Sequence, residues 1–289
     1  MTRRMTLMAG LSALAGACTP SLSTFDAFTP KDSGARRVLR DGVFGPDRRQ
    51  RLDLYAPNDT AASANLPVIV FSYGGSWISG EKDDYQFLGQ ALASRGFVVA
   101  IANYRLVPAA RFPAFIEDCA LAVKWVGDNV AAHGGDPNRI VLCGHSAGAY
   151  NLIMLALDGR YLSAVGFNAR AIRGFVGLAG PYNFYPFDVA STRNAFGQAQ
   201  DPQATQPIHF ARADGPPLLL LWGERDTTVG RKNIVGMERA AHTAGEAVET
   251  KIYPRVDHVG IMLAFSVPFR GNAPVLHDVS QFARRVTGG

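Results

Sequence analysis

Ile140-Val141-Leu142-Cys143-Gly144-His145-Ser146-Ala147-Gly148, followed by the largely apolar run Tyr150 to Leu157, is the stretch on which the fold turns. The first apolar run reads as a buried strand and the second as a helix. A serine between them, with glycine two places before and two places after, fits a sharp strand-to-helix elbow. The turn is so tight that larger side chains at those two places would clash with the backbone. Ser146 is thereby pushed out at the carboxyl end of its strand, with the positive end of the helix behind it. In a chain with 30 glycines such a motif is easily met by chance, so the surrounding sequence has to supply the context.

At 289 residues, 47% hydrophobic and 18% charged, the chain can bury the core of a compact α/β enzyme. The formal net charge is +5, and leaving out Arg3 and Arg4 brings it to +3. The basic residues are scattered and not interleaved with aromatics, so no nucleic-acid partner is indicated. Cys119 falls on a helical pattern and Cys143 at the end of the elbow strand; both read as small core hydrophobes. Together with Cys18 they have no regular spacing, which fits neither a disulfide framework nor a zinc site. No metal and no cofactor are expected, and nothing in the sequence fixes the oligomeric state.

Residues 1–18 read as an export signal. Arg3 and Arg4 are a positive start, and Leu7 to Leu14 is a mostly apolar run too short to span a membrane. Small residues, Ala15-Gly16-Ala17, then precede Cys18. Leu14 to Cys18 also resembles a bacterial lipobox, with its hydrophobe one place further from the cysteine than usual. Two readings stay open: export with cleavage alone, or lipidation of Cys18 with membrane attachment. Either puts the protein outside the cytoplasm, in the periplasm or anchored to a membrane. Residues 19–36, rich in Ser, Thr, Pro and charge, read as a linker, and 37–289 as one catalytic domain.

Along that domain strands and helices alternate, which argues for a mainly parallel sheet with helices on both faces. Arg37 to Val43 and Gln50 to Tyr55 read as edge strands. Leu66 to Tyr73, Phe97 to Asn103, Ile172 to Leu178, Pro217 to Gly223 and Val248 to Tyr253 read as further strands. Helices are expected over Asp84 to Arg95, from Phe112-Pro113 to Gly134, and over 275–287. Between 179 and 214 the rhythm breaks. Tyr182, Phe184, Tyr185, Phe187, Phe196 and Phe210 suit either a small cap over a pocket or a surface excursion that covers the sheet edge.

A serine hydroxyl is a weak nucleophile at neutral pH and needs a histidine to take its proton and a carboxylate to orient that histidine. In this kind of fold the partners follow in the order Ser, acid, His. Leu218 to Gly223 runs into Glu224-Arg225-Asp226, and Ile252-Tyr253-Pro254 runs into Asp257-His258. Asp226 and His258 thus sit in loops at carboxyl ends of strands, where catalytic groups collect in open α/β sheets. Glu224 is the rival acid, closer to its strand end. Asp257 adjoins His258, but adjacent side chains diverge. His133, His145, His209, His242 and His277 lack the strand-end setting or are locked in place. Gly74-Gly75, after the strand ending at Tyr73, let backbone N–H groups face a developing oxyanion together with the amide of Ala147.

Carrying these residues, the chain resembles α/β-hydrolase-fold carboxylesterases, and among them the hormone-sensitive lipase, arylformamidase and prenylcysteine methylesterase-like group. The likeness runs from about Leu52 to Arg285. It includes Gly74-Gly75-Ser76-Trp77, Ser79-Gly80-Glu81-Lys82, Tyr104-Arg105-Leu106, Phe112-Pro113, Asp118, Gly134-Gly135-Asp136-Pro137 and the elbow. It implies an α/β-hydrolase fold and a metal-independent serine hydrolase of small to medium carboxylic esters. Ser146, Asp226 and His258 would be catalytic, Gly74, Gly75 and Ala147 the oxyanion donors, and Trp77 and His145 substrate contacts. Two positions depart from the family: Tyr73 stands where members often have His, and Ser76 where many have a third Gly. An arylformamidase-like amide hydrolase and a non-catalytic binding module on the same fold are the alternative readings.

Overall fold

The fold is a single sheet wrapped by helices, seen in a computed structural model that describes residues 21–288. The proposed export signal and Cys18 lie outside the described residues. Eight strands run β1 (Ala35–Val43), β2 (Arg51–Pro57), β3 (Leu66–Ser72), β4 (Val98–Ala102), β5 (Gly135–His145), β6 (Ile172–Leu178), β7 (Leu218–Gly223) and β8 (Val248–Tyr253). Their order in the sheet is β1-β2-β4-β3-β5-β6-β7-β8. β1 and β2 pair antiparallel, as do β2 and β4; every later pairing is parallel. The helices are α1 (Leu22–Phe28), α2 (Gln86–Ala93), α3 (Ala114–Asn129), α4 (Ala147–Leu157), α5 (Gly159–Ala164), α6 (Ala190–Phe196), α7 (Lys232–Ala244), α8 (Gly260–Leu263) and α9 (Val275–Thr287).

The central strands are continuous apolar runs because both faces are covered. β4 and β7 are buried throughout, whereas β8 at the open edge alternates toward solvent and leaves Ile252 exposed. α4 is apolar all round, and every one of its residues is buried, which places it in the core behind the elbow. This is the mainly parallel, helix-covered sheet that the alternation of strands and helices predicted, in the α/β-hydrolase fold that the resemblance implied.

One expectation is corrected, and two features were not foreseen. The stretch read as linker is not one over its described part: from Leu22 it forms α1, docked on the body. Asp26 on that helix is buried and accepts the amide of Phe87 at 2.8 Å, and Phe25 packs edge-on against Phe87 at 5.4 Å. A seven-residue helix has too short a period to stand out among Ser, Thr and Pro. β5 starts at Gly135, ahead of the apolar run from Ile140, with a shift in register between Leu66↔Gly135 and Val68↔Ile140. α7, whose mixed surface hid it in the sequence, follows the Asp226 loop, and Asn233 in its first turn accepts the amides of Tyr182 and Asn183 at 2.9 and 2.8 Å.

The irregular segment 179–214 packs down onto α3 and α4. Trp77, Phe115, Tyr150, Phe184 and Phe196 form one aromatic cluster, with ring centroids 4.8 to 6.1 Å apart around Trp77. The Tyr150 hydroxyl donates to the Thr205 carbonyl at 2.8 Å, and Gln206 accepts the Phe184 amide at 2.7 Å. Cys119 and Cys143 are both free and buried, and burial pushes the Cys119 thiol up to about 12.

Candidate active site

At the crest of the β5–α4 turn Ser146 adopts φ 52° and ψ −121°, a backbone region that L-residues rarely occupy and that costs about 1–3 kcal/mol. The strain is held by the sheet: the Ser146 amide donates to the Leu178 carbonyl of β6 at 2.9 Å, while its carbonyl accepts from Tyr150 in the first turn of α4. The glycine frame is steric. A Cβ at Gly148 would lie 2.1 Å from the Ser72 carbonyl oxygen, and one at Gly144 would lie 2.5 Å from that of Gly148. The second glycine-bearing loop comes equally close, since a Cβ at Gly74 would sit 2.8 Å from that of Ser146.

Asp226 and His258 meet across the carboxyl ends of β7 and β8. His258 Nδ1 is 2.7 Å from Asp226 Oδ2. The other carboxylate oxygen accepts the amides of Thr228 and Val229, both at 2.8 Å, so the acid is fixed from two sides and buried. A carboxylate only accepts, which puts the histidine proton on Nδ1 and leaves the Nε2 lone pair as the basic site. Ser146 and His258 line one cavity together with Gly74 and Gly75. The rival acid Glu224 points into solvent, and Asp257 is occupied in accepting the amide of Gly260 at 2.7 Å, where α8 begins.

His145 and Trp77, expected to contact substrate, are 5% and 3% exposed, His145 on the wall of the cavity shared by Ser146 and His258 and Trp77 on a second cavity at Ser146. His145 Nε2 lies 2.8 Å from the backbone carbonyl of His258, which only accepts, so Nε2 carries the proton. Burial, reinforced by the neighbouring His258, lowers its pKa to about 3, so the ring is neutral near pH 7 and serves as a brace for the His258 loop. The Trp77 indole donates to Asn151 on α4 at 3.0 Å and ties the glycine loop to the helix behind Ser146.

The glycine loop itself is left-handed over three successive residues: Gly75 at φ 126°, Ser76 at 53° and Trp77 at 61°. The Gly75 carbonyl accepts from both Ile78 and Ser79, which closes the turn. As the first residue of α4, Ala147 is among the amides that a helix cannot pair internally. Tyr73 supports this loop from beneath. Its hydroxyl donates to Asn103 at 2.6 Å and accepts from Arg49 at 2.9 Å, and a Cβ at Gly80 would strike its ring at 2.6 Å. Arg49 also bonds the Gly80 and Tyr104 carbonyls and pairs with Glu81. Next to it, Lys82 is buried among Asp41, Asp53 and Asp83 at 2.7, 2.9 and 3.0 Å. None of this scaffolding is visible in the sequence, because its members come from β1, β2, the turn before β2, the residues just after β4 and the loop itself.

An α/β-hydrolase frame with a serine elbow and an Asp–His pair at the facing strand ends defines the class. Within it, the chain belongs to the BD-FAE family, which matches residues 52–239, more than half its length. It is 29% identical over 265 residues to isoprenylcysteine alpha-carbonyl methylesterase ICME of Arabidopsis thaliana, covering 84% of this chain and 61% of that one. It is 28% identical over 258 residues to esterase LipQ of Mycobacterium tuberculosis, covering 82% of this chain and 61% of that one. The chain thus spans less than two thirds of the length of these curated relatives. In fold it is similar to a truncated carbohydrate esterase from gut microbiota, with a TM-score of 0.75 at 21% identity, covering 90% of this chain and 100% of that one.

Proposed function

We propose that the protein is a serine carboxylesterase that hydrolyses small to medium carboxylic esters through an acyl-enzyme. The observation that carries this reading is the 2.7 Å contact between His258 Nδ1 and Asp226, with Ser146 on the wall of the same cavity as His258. Ser146 Oγ attacks the acyl carbon while its proton passes to Nε2 of His258. The C–O bond to the alcohol breaks, and His258 returns the proton to the departing oxygen. Water then adds to the acyl carbon, again losing its proton to His258, and release of the acid restores Ser146 with its hydroxyl proton. Asp226 holds the ring and stabilises its charged form. The amides of Gly74, Gly75 and Ala147 face the oxyanion, a role worth about 10²–10³ in turnover per donor in comparable sites. The esterase and methylesterase names of the relatives support the ester class. The test is a fluorophosphonate probe with peptide mapping: label on Ser146, abolished in His258→Ala, is the expected result. A purified, folded protein that leaves Ser146 unlabelled while other serines react would overturn the assignment.

We propose further that residues 1–18 direct export and that Cys18 is acylated after cleavage, placing the enzyme on a membrane facing the periplasm. The support is the charge, apolar run and small residues ahead of that cysteine. Mass analysis of the N-terminal peptide from expressed bacteria decides it. A diacylglyceryl-modified Cys18 is expected, and an intact Met1 or an unmodified new terminus refutes the lipid.

A further inference from the structure

Two cavities meet at Ser146, and their walls differ. The first, about 810 Å³, includes His258, Gly74 and Gly75, and its remaining wall is mostly apolar: Leu22 and Phe25 of α1, Met262 and Leu263 of α8, and Phe269. The second, about 500 Å³, includes Ala147, Trp77 and Phe184 but not His258, and brings Asp188, Thr192, Lys232 and Asn233 to its surface.

We infer that the first cavity receives the alcohol part of the ester and the second the acyl part, so that this enzyme selects compact acyl groups on bulky apolar alcohols, with α1 as the element that sets the alcohol preference. The inference rests on the serine esterase reading above and adds the direction of the substrate.

Attack by Ser146 gives a tetrahedral carbon with four substituents: Oγ, the oxyanion, the leaving oxygen and the acyl chain. The leaving oxygen takes its proton from Nε2 of His258, so it must lie within about 3 Å of that nitrogen. Whatever the oxygen carries extends into the space that His258 walls. The oxyanion occupies the direction of the glycine loop. One direction remains for the acyl chain, and the cavity that reaches Ser146 and Ala147 without His258 is the one that lies there.

The chemistry of the walls then sets the class. An apolar alcohol covers Leu22, Phe25 and the exposed Val259 and Phe269 at the mouth and removes their apolar surface from water. A long alkyl chain in the second, smaller cavity would instead strip water from the exposed, charged Asp188 and Lys232 on its wall without giving them hydrogen bonds, while Thr192 and Asn233 there are buried and already bonded within the protein. The wall formed by α1 is a fixed one: Phe25 lies between Phe87 and Phe269, with ring centroids at 5.4 and 5.9 Å, and Asp26 anchors the helix to α2.

The experiment uses two series of unactivated alkyl esters, so that leaving-group reactivity stays nearly constant. One series holds the acid as acetate and lengthens the alcohol from ethyl to hexyl to cyclohexylmethyl. The other holds the alcohol as ethyl and lengthens the acid from acetate to octanoate. For the unaltered protein, kcat/KM is expected to rise by about tenfold or more along the alcohol series and to fall along the acid series. Phe25→Trp, which fills the first cavity, should lower the hexyl-to-ethyl acetate ratio by about tenfold. Val189→Trp, at an exposed position on the second cavity, should act on the acid series instead. Should Phe25→Trp not fold, Leu22→Phe fills the same wall, and the unaltered protein's two series already discriminate. Preferences in the opposite sense, with Ser146 still labelled by a fluorophosphonate, overturn the direction alone. Absence of both ester turnover and labelling brings down the esterase reading and this inference with it.

Discussion

Ser146→Ala is expected to lower kcat on any ester substrate by about 10⁴–10⁶, with little change in KM. Without Oγ there is no acyl-enzyme, and His258 has no hydroxyl to deprotonate. What remains is binding and the oxyanion donors acting on a water molecule. The change removes one oxygen from a residue already held by the Leu178 carbonyl and by α4, so the elbow itself stays in place. The check is kcat and KM for a short p-nitrophenyl ester, beside a melting curve that shows the variant folded. A folded variant with activity within tenfold of the unaltered protein would remove Ser146 from the chemistry.

Lys82→Met is expected to cost about 3–5 kcal/mol of stability, because it leaves the fully buried Asp53 without its cation, whereas Asp41 and Asp83 are half exposed and turn to water. Lys82 is 2% exposed at its side chain and Asp53 not at all, so neither can turn to water for a substitute. Burial alone would lower the Lys82 pKa; the hydrogen bonds that Lys82 donates to Asp41, Asp53 and Asp83 outweigh it and hold the pKa above the usual lysine value. A raised lysine pKa contributes stability that is present below the ordinary lysine range and is lost as pH rises through the folded-state value. At neutral pH the contribution is therefore fully expressed. In a domain of this size the loss corresponds to a fall of roughly 10 °C in Tm by calorimetry. After its loss Asp53 keeps Arg37 at 3.0 Å and the Asp41 amide at 2.9 Å, which sets the cost at the lower half of that range if β1 adjusts. A Tm within 2 °C, on the order of 1 kcal/mol or less, would show that the cluster contributes no net stability.

Beyond its fold, the candidate site was partly legible in the sequence for particular reasons. Gly144 and Gly148 mark the elbow because the backbones of β3 and α4 pass within 2.5 Å of where their Cβ atoms would be. Asp226 and His258 could be picked out because each lies in the loop after a strand, and a parallel sheet brings all its carboxyl ends to one rim. The brace formed by His145 could not be read, since its partner is a backbone carbonyl 113 positions away. Nor could the burial of Trp77, which depends on α4 and on the irregular segment closing over it. α1 was hidden for a different reason: its seven residues are helical through docking, not through their own propensity.

By itself the sequence determined the strand–helix alternation, the glycine-framed serine and the order in which acid and histidine follow it. These are local properties, fixed by side-chain periodicity and by sterics within a few residues. Only the tertiary structure decided which groups hold the glycine loop, that α1 walls the cavity shared by Ser146 and His258, and that a second, smaller cavity with Asp188 and Lys232 on its wall opens beside Ser146. Those features come from segments far apart in the chain, and their meeting depends on how the sheet twists and its helices dock, which no short stretch of residues encodes.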